Sequence, residues 1–292
     1  MLHRWVPADT PRAAVHVLHG MSEHAGRYAA FAGRLNAVGL AVWAHDHRGH
    51  GPEPTSPGPR GHFADRNGWR HIVDDAWSVS QQLRAAVPGV PLLLFAHSMG
   101  SFVGQYLMSE HGDAYDGVIL CGTNGPPGWQ EPLARALGHI HRRLADGQAP
   151  GTWVTNAVFG TYNRAFAPNR TSRDWLSRDE AEVDATVADP LCGAPLTVQA
   201  WVDVLEARRR LGDRDFVGRI PKDLPVRIIA GSRDPVAEYG SGATRLLHIY
   251  ERAGLSRVSL RIYDGARHEL LRETNRREVI DEVIEWVGGV IK

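Results

Sequence analysis

Short apolar runs alternate with longer amphipathic segments along most of the chain. Helical spacing predicts a helix over Tyr28–Val38, where Phe31, Leu35 and Val38 recur at i, i+4 and i+7. Further helices are predicted at Ile72–Val87, Met99–Glu110, Ala243–Ala253 and Arg277–Val287. The apolar runs predict strands at Ala13–His19, Leu40–Ala44, Pro91–Ala96, Gly117–Gly122, Val226–Ala230 and Ser259–Tyr263. This alternation predicts an α/β fold with a mostly parallel sheet and helices on both faces.

The alternation stops between residues 124 and 214, a stretch that we call the inserted segment. It contains no convincing strand, only helical pieces at Pro132–Leu144, Asp179–Thr186 and Thr197–Leu211. We therefore expect a core domain of residues 1–123 and 215–292, with a helical cap of residues 124–214. The aromatic residues of the cap could line an acyl tunnel, although packing within a small helical unit explains any single one: Trp129, Trp153, Phe159, Tyr162, Phe166, Trp175 and Trp201.

Composition limits the function without identifying it. Lys and Arg total 33 and Asp and Glu total 33, so the 292-residue chain lacks the basic excess of a nucleic-acid-binding protein. Cys121 and Cys192 are too few for a disulfide framework or a thiolate zinc site. Neither a membrane-spanning run nor a signal-peptide pattern is visible, which predicts a cytoplasmic protein.

The strongest chemical signal is the run Ala96-His97-Ser98-Met99-Gly100, between a buried strand and a helix. It matches the G-x-S-x-G turn that exposes a nucleophilic serine, with alanine in place of the first glycine. Ala96 and Gly100 are small, as required where the chain turns sharply. His97 flanks the nucleophile, and we expect it to support the site by packing.

A serine hydroxyl needs a base to take its proton, and the base is in turn oriented by an acid. In folds with this turn, the acid and then the histidine follow the serine along the chain. Asp234 follows the strand Val226–Ala230, and His268 follows the strand Ser259–Tyr263. Ser98, Asp234 and His268 are therefore predicted to meet at one edge of the sheet. Asp264 is the rival acid, although its nearness to His268 in sequence argues against it.

Acyl transfer also needs donors for the oxyanion. The Met99 N–H is one candidate, because it follows the nucleophile. The Met21 N–H is the other, in the loop after the first predicted strand, where Gly20 lets the backbone turn close to the substrate.

Several motifs together resemble the monoacylglycerol lipase and lysophospholipase group of α/β-hydrolases, also described as serine aminopeptidase S33-like. They are HGMSEHAGRY at 19–28, DHRGHG at 46–51, AHSMGS at 96–101, DPL at 189–191, GSRDPV at 231–236 and ARHELLRE at 266–273. The resemblance implies an α/β-hydrolase fold with a helical cap. It assigns Ser98 as nucleophile, His268 as base and Asp234 as acid, with the oxyanion donors on Met21 and Met99.

The sequence thus predicts a cofactor-independent serine hydrolase that cleaves small carboxylic esters with an apolar acyl chain, including lipid esters. Peptidase, thioesterase and lactonase activities stay open, because all use the same acyl-enzyme route. A non-catalytic ligand-binding protein and a metallohydrolase are weaker alternatives. The metallohydrolase would use His45, Asp46, His47 and His50, whose order does not match the zinc hydrolase pattern. Oligomeric state and peripheral membrane contact through the cap stay open.

Overall fold

The computed structural model describes residues 1–53, 58–126, 142 and 146–292. The strands are β1 Leu2–Trp5, β2 Ala13–Leu18, β3 Leu40–His45, β4 Leu92–His97, β5 Gly117–Cys121, β6 Val226–Gly231 and β7 Val258–Tyr263. The α-helices of the described residues are α1 Ala29–Asn36, α2 Gly68–Ala86, α3 Met99–His111, α4 Thr152–Arg164, α5 Glu180–Ala188, α6 Val198–Arg210, α7 Arg214–Gly218, α8 Ser241–Arg252 and α9 Arg276–Val290. Short 3₁₀ turns lie at Ala25–Tyr28, Gly112–Ala114 and Leu270–Arg272.

The strands form one sheet in the order β1-β3-β2-β4-β5-β6-β7. Only the edge strand β1 runs antiparallel to its neighbour, so the predicted mostly parallel sheet is confirmed within the described residues. Every residue of β2, β3, β4 and β5 is buried, as expected for strands covered on both faces. The parallel arrangement places the carboxyl ends of β2, β4, β6 and β7 at one edge.

Helices cover both faces of the sheet, as predicted. Alternate side chains of β4 enter two separate cores. Leu92, Leu94 and Ala96 belong to the core that α2, α3 and α8 cover, whereas Leu93 and Phe95 belong to the core beneath α1 and α9. Because both faces of β4 are buried in this way, the strand is apolar along its length except at its last residue, His97.

The six predicted strands are confirmed, and each differs from its predicted bounds by about one residue at an end. Helix α4 was not predicted. Its preceding residue, Gly151, provides no side-chain cap, and Trp153 on its first turn is exposed. The helix therefore lacks both the starting signal and the clean apolar face that sequence analysis relies on.

The inserted segment contributes no strand to the sheet over its described residues, 124–126, 142 and 146–214. Helices α4, α5 and α6 lie in this segment. The predicted helix Pro132–Leu144 and Trp129 fall outside the described residues, apart from Arg142. None of the described helices has the length and apolar character needed to cross a membrane.

Candidate active site

Ser98 lies at the sharp turn between β4 and α3. Its backbone has φ 52° and ψ −122°, a positive-φ conformation that is strained for a residue with a side chain. A Cβ atom at Gly100 would lie 2.5 Å from the carbonyl oxygens of both Leu18 and His19. Helix α3 can therefore begin against the end of β2 only because residue 100 is glycine. The turn holds Ser98 at the carboxyl edge of the sheet.

The structure brings Ser98, His268 and Asp234 into one chain of hydrogen bonds. The distance from His268 Nε2 to Ser98 Oγ is 2.9 Å. His268 Nδ1 lies 3.0 and 2.9 Å from Oδ1 and Oδ2 of Asp234. Because a carboxylate accepts at Nδ1, the ring proton is there, and Nε2 can accept the proton of the Ser98 hydroxyl.

Asp264, the rival acid, lies elsewhere. It is exposed, and its Oδ1 accepts a hydrogen bond from the Ser232 hydroxyl at 3.2 Å. Asp234 is fully buried, and its Oδ1 also accepts from the Val236 N–H at 2.8 Å. The carboxylate beside His268 is therefore the one at the end of β6.

The electrostatics of the site make His268 a stronger base than an ordinary histidine. Burial alone lowers the pKa of His268, but the charge of Asp234 and its hydrogen bond outweigh burial and raise that pKa above its usual value. The ring of His97 lies 4.8 Å from that of His268. Burial and the neighbouring His268 lower the pKa of His97 to about 4, so His97 is neutral near pH 7. No second positive charge from His97 opposes protonation of His268.

The loop after β2 approaches Ser98 closely. A Cβ atom at Gly20 would lie 3.1 Å from Ser98 Cβ, so a larger residue would crowd Ser98. The Gly20 N–H donates to Glu23 Oε1 at 2.5 Å and is not available to a substrate. The next amide, that of Met21, and the Met99 amide at the start of α3 remain the candidate oxyanion donors.

A buried group of ion pairs supports this loop, and sequence analysis left its members undecided or unmentioned. Arg27 donates to Glu23 Oε2 at 2.9 Å and to both oxygens of Glu269 at 2.8 and 2.9 Å. It also donates to the Thr186 hydroxyl on α5 at 2.5 Å. Tyr28 donates its hydroxyl to Glu23 at 3.0 Å. The group joins the loop after β2, the residue after His268 and the inserted segment.

The charges in this group keep its carboxylates ionised. Burial raises the pKa of Glu23, but the charge of Arg27 outweighs burial and lowers it overall. The pKa of Glu269 is lowered for the same reason, with Arg272 contributing. The sequence signal was present, because Glu23 and Arg27 both lie in the HGMSEHAGRY motif. Their pairing with Glu269 spans 242 positions and could not be derived from local pattern.

His47 and His50 form hydrogen bonds with the loop after β2. The His47 N–H donates to His19 Nε2 at 2.9 Å, and His47 Nε2 lies 3.1 Å from the His19 carbonyl. His50 Nε2 accepts the Ser22 N–H at 3.1 Å. Burial lowers the pKa of His19, His47 and His50, so these rings are neutral near pH 7. These hydrogen bonds connect the loop after β2 to the loop after β3.

One group of described residues has donor atoms close enough to hold a metal ion. His24, Asp189 and Cys192 offer a nitrogen, an oxygen and a sulfur within 4.8 Å of one another. His24 Nε2 is also 2.9 Å from Asp189 Oδ2, so the two side chains already pair. This contact ties the DPL motif to the loop after β2.

A cavity of about 720 Å³ contains Ser98 and His268. Its apolar lining includes Phe102, Phe159, Tyr162, Trp175, Trp201 and Val204. The Trp175 ring lies 5.1 Å from the ring of His268. Of the other aromatic residues of the inserted segment, Trp153 is 44% exposed, and Phe166 packs beneath the guanidinium groups of Arg233 and Arg267.

The chain is similar to known hydrolases over nearly its whole length. A family model described as "Serine aminopeptidase, S33" matches residues 9–275. The monoglyceride lipase of Homo sapiens is 31% identical over 294 residues, covering 97% of this chain and 85% of that protein. The monoacylglycerol lipase of Mycolicibacterium smegmatis is 29% identical over 286 residues, covering 97% and 90%.

The fold is also similar to that of known hydrolases. The crystal structure of a highly thermostable carboxyl esterase from Bacillus coagulans, in complex with glycerol, matches with a TM-score of 0.90 and 25% identity. That match covers 100% of this chain and 94% of the esterase. The α/β-hydrolase fold predicted from the motifs is confirmed. On its sequence and on its fold, the chain belongs to the serine aminopeptidase S33 family of α/β-hydrolases.

Proposed function

We propose that this carboxylic ester hydrolase cleaves esters with an apolar acyl chain, of the monoacylglycerol type, through an acyl-enzyme intermediate on Ser98. The observation that carries the proposal is the chain of hydrogen bonds from Ser98 through His268 to Asp234, in which Ser98 and His268 line a largely apolar cavity. Nucleophile, base and orienting acid are then present at hydrogen-bond distance, as nucleophilic catalysis requires.

In the proposed reaction, Ser98 Oγ attacks the ester carbonyl while its proton passes to His268 Nε2. The Met21 and Met99 N–H groups donate to the oxyanion of the tetrahedral intermediate. His268 then gives the proton to the leaving alcohol, and the acyl group stays on Ser98. A water molecule, deprotonated by His268, attacks the acyl-enzyme and releases the acid. Asp234 holds the ring in the required tautomer and stabilises its charged form.

The acyl chain would occupy the apolar wall of the cavity. That wall is formed by side chains of α3, α4 and α6, including Phe102, Tyr162, Trp201 and Val204. Pockets for apolar ligands are lined in this way, with few polar groups to fix orientation. We therefore propose that the inserted segment, residues 124–214, serves as a cap that encloses the acyl chain over a core of residues 1–123 and 215–292.

The test compares Ser98→Ala with Ser78→Ala, a matched change on the exposed face of α2. Each protein is assayed with p-nitrophenyl esters of increasing chain length and with a monoacylglycerol, and labelled with a fluorophosphonate. We expect Ser98→Ala to lose a factor of roughly 10⁵–10⁶ in kcat, to keep its melting temperature and to escape labelling. Ser78→Ala should behave as the unmodified protein. Retained hydrolysis in Ser98→Ala, or labelling at another residue, would refute the proposal.

A further inference from the structure

The walls of the cavity differ in polarity. The remaining lining includes a polar wall, contributed by the loop after β2, the segment before α5, helix α5 itself and the loop after β7. Its members include Ser22, Arg27, Arg173, Thr186 and Glu269. If an acyl chain lies along the apolar wall and its carbonyl lies at Ser98, the alcohol part of the ester faces the polar wall. The charges of this second wall then decide which alcohols are accepted.

Most charges in the polar wall neutralise one another. Arg27 is paired with Glu23 and Glu269 at 2.9 and 2.8 Å. Glu269 is also 3.6 Å from Arg272. These side chains are nearly buried, at 7 to 10% exposure for Glu23, Arg27 and Glu269. Each carboxylate is thus already matched by a guanidinium, and none is left to neutralise another cation.

Arg173 is the exception. No carboxylate of the described residues forms an ion pair with its guanidinium. Its contacts are a long hydrogen bond of 3.5 Å from Nη2 to the Gly193 carbonyl and a cation–π contact of 5.0 Å with the Phe159 ring. Burial lowers the pKa of Arg173, as expected for a desolvated charge, with the more distant Cys192 and Glu269 opposing the shift. An arginine nevertheless stays charged at any physiological pH.

A partly buried cation without an anion has lost part of its hydration with no compensating charge, and a ligand anion would provide that charge. The guanidinium packs against the Phe159 ring at 5.0 Å, and Arg173 lines the cavity. A guanidinium donates in a fork that matches a carboxylate or a phosphate, and such charge-assisted hydrogen bonds are strong. Because Arg173 already packs against this ring, less side-chain entropy is lost when an anion binds than for a solvated arginine.

We propose that Arg173 forms a subsite for an anionic group on the alcohol part of the substrate, so that the enzyme favours acyl esters carrying a phosphate or a carboxylate there. This inference rests on the proposed function for the direction in which the ester lies. It assigns the discrimination between charged and neutral esters to one side chain of the inserted segment, far in sequence from Ser98.

The test uses three soluble substrates with the same medium-length acyl chain: a neutral monoacylglycerol, the acylglycerol phosphate and the acylglycerate. kcat/KM is measured for the unmodified protein, Arg173→Met, Arg173→Lys and the control Arg164→Met, whose arginine is exposed at the end of α4. In Arg173→Met, the ratio of kcat/KM for the anionic esters to that for the neutral ester should fall roughly 10- to 100-fold. Arg173→Lys should restore part of the ratio, and Arg164→Met should not change it.

The ratio separates this role from a structural one. Loss of folding or of general activity in Arg173→Met lowers kcat/KM for all three esters alike, and an unchanged ratio overturns the proposal. The two anionic esters identify the group: a larger fall for the acylglycerol phosphate indicates a phosphate subsite, and a larger fall for the acylglycerate a carboxylate subsite. Added salt should reduce the preference for both anionic esters.

Binding to the inactive protein separates this inference from the proposed function. Ser98→Ala and the double variant Ser98→Ala/Arg173→Met are titrated calorimetrically with each ester. If the unmodified protein hydrolyses none of the three esters but Arg173→Met weakens only the binding of the anionic ones, the subsite stands and the proposed function fails. If hydrolysis occurs but neither the binding ratio nor the kcat/KM ratio depends on Arg173, the subsite fails and the proposed function stands.

Discussion

Gly100→Ala is expected to damage both stability and activity, although alanine is a better helix former than glycine. The added Cβ would lie 2.5 Å from the carbonyl oxygens of Leu18 and His19, whereas ordinary contacts begin near 3.4 Å. The start of α3 and the end of β2 must therefore separate by about 0.9 Å to relieve the contact. Since β2 is a central strand held by neighbours on both sides, most of the shift falls on α3 and on Ser98.

The magnitude follows from the short distances at the site. Ser98 Oγ lies 2.9 Å from His268 Nε2, and a shift of this size lengthens that distance to about 3.5 Å or more, past the limit of a useful hydrogen bond. A misplacement near 1 Å costs roughly 100-fold in rate. Overpacking of this kind also lowers the free energy of unfolding by roughly 1–3 kcal/mol.

The assay combines urea denaturation with kcat/KM on a p-nitrophenyl ester, and Gly33→Ala is the matched control. A Cβ at Gly33, on the exposed side of α1, meets nothing within 4 Å. The same substitution there should raise the free energy of unfolding by about 0.5–1 kcal/mol and leave kcat/KM unchanged. If Gly100→Ala keeps both unmodified stability and unmodified kcat/KM, the close approach of α3 to β2 is not what positions Ser98.

Other changes test the neighbouring groups. Asp234→Asn should lower kcat by about 10⁴-fold because the His268 tautomer is lost, whereas Asp264→Asn should change kcat little; the reverse order in kinetic assays would transfer the acid role to Asp264. The value of kcat/KM should rise with pH as His268 loses its proton. Because the pKa of His268 is raised, the midpoint of this acid limb should lie above pH 6.5. A midpoint well below pH 6.5 would contradict the raised pKa of His268. Glu23→Ala should lower the free energy of unfolding by about 3 kcal/mol in urea denaturation, because it removes a buried ion-pair partner and the acceptor of the Gly20 N–H; a change below about 0.5 kcal/mol would show that the group contributes little.

The sequence predicts the parts of the site that depend on local order along the chain. Ser98 follows a buried apolar strand and precedes a helix, and small residues surround it. Asp234 and His268 each follow an apolar strand. Because parallel strands place their carboxyl ends at one edge, three separate local patterns predict one cluster without knowledge of any contact. The distances of 2.9 Å on either side of the His268 ring agree with that prediction.

The parts that could not be predicted depend on pairs of residues far apart in sequence. Arg27 and Glu269 each look like ordinary surface charges, since nothing local distinguishes a buried pair from two solvated side chains. The role proposed for Arg173 could not be predicted either, because the lack of a carboxylate partner among the described residues is visible only in three dimensions. Helix α4 was missed for a different reason: its apolar residues are divided between the cavity and the surface, which blurs the helical period.

The buried histidines give the fold a sensitivity to acid. Burial lowers the pKa of His16, His19, His45 and His47 below that of an unfolded histidine. Below about pH 6.5 the unfolded chain binds protons at these positions that the folded chain cannot accept. Each such histidine therefore removes up to about 1.4 kcal/mol of stability for every further unit of acidification, until its folded-state pKa is reached. Acidification therefore weakens the fold at β2, at β3 and at the loops that follow them, because these elements carry the four histidines.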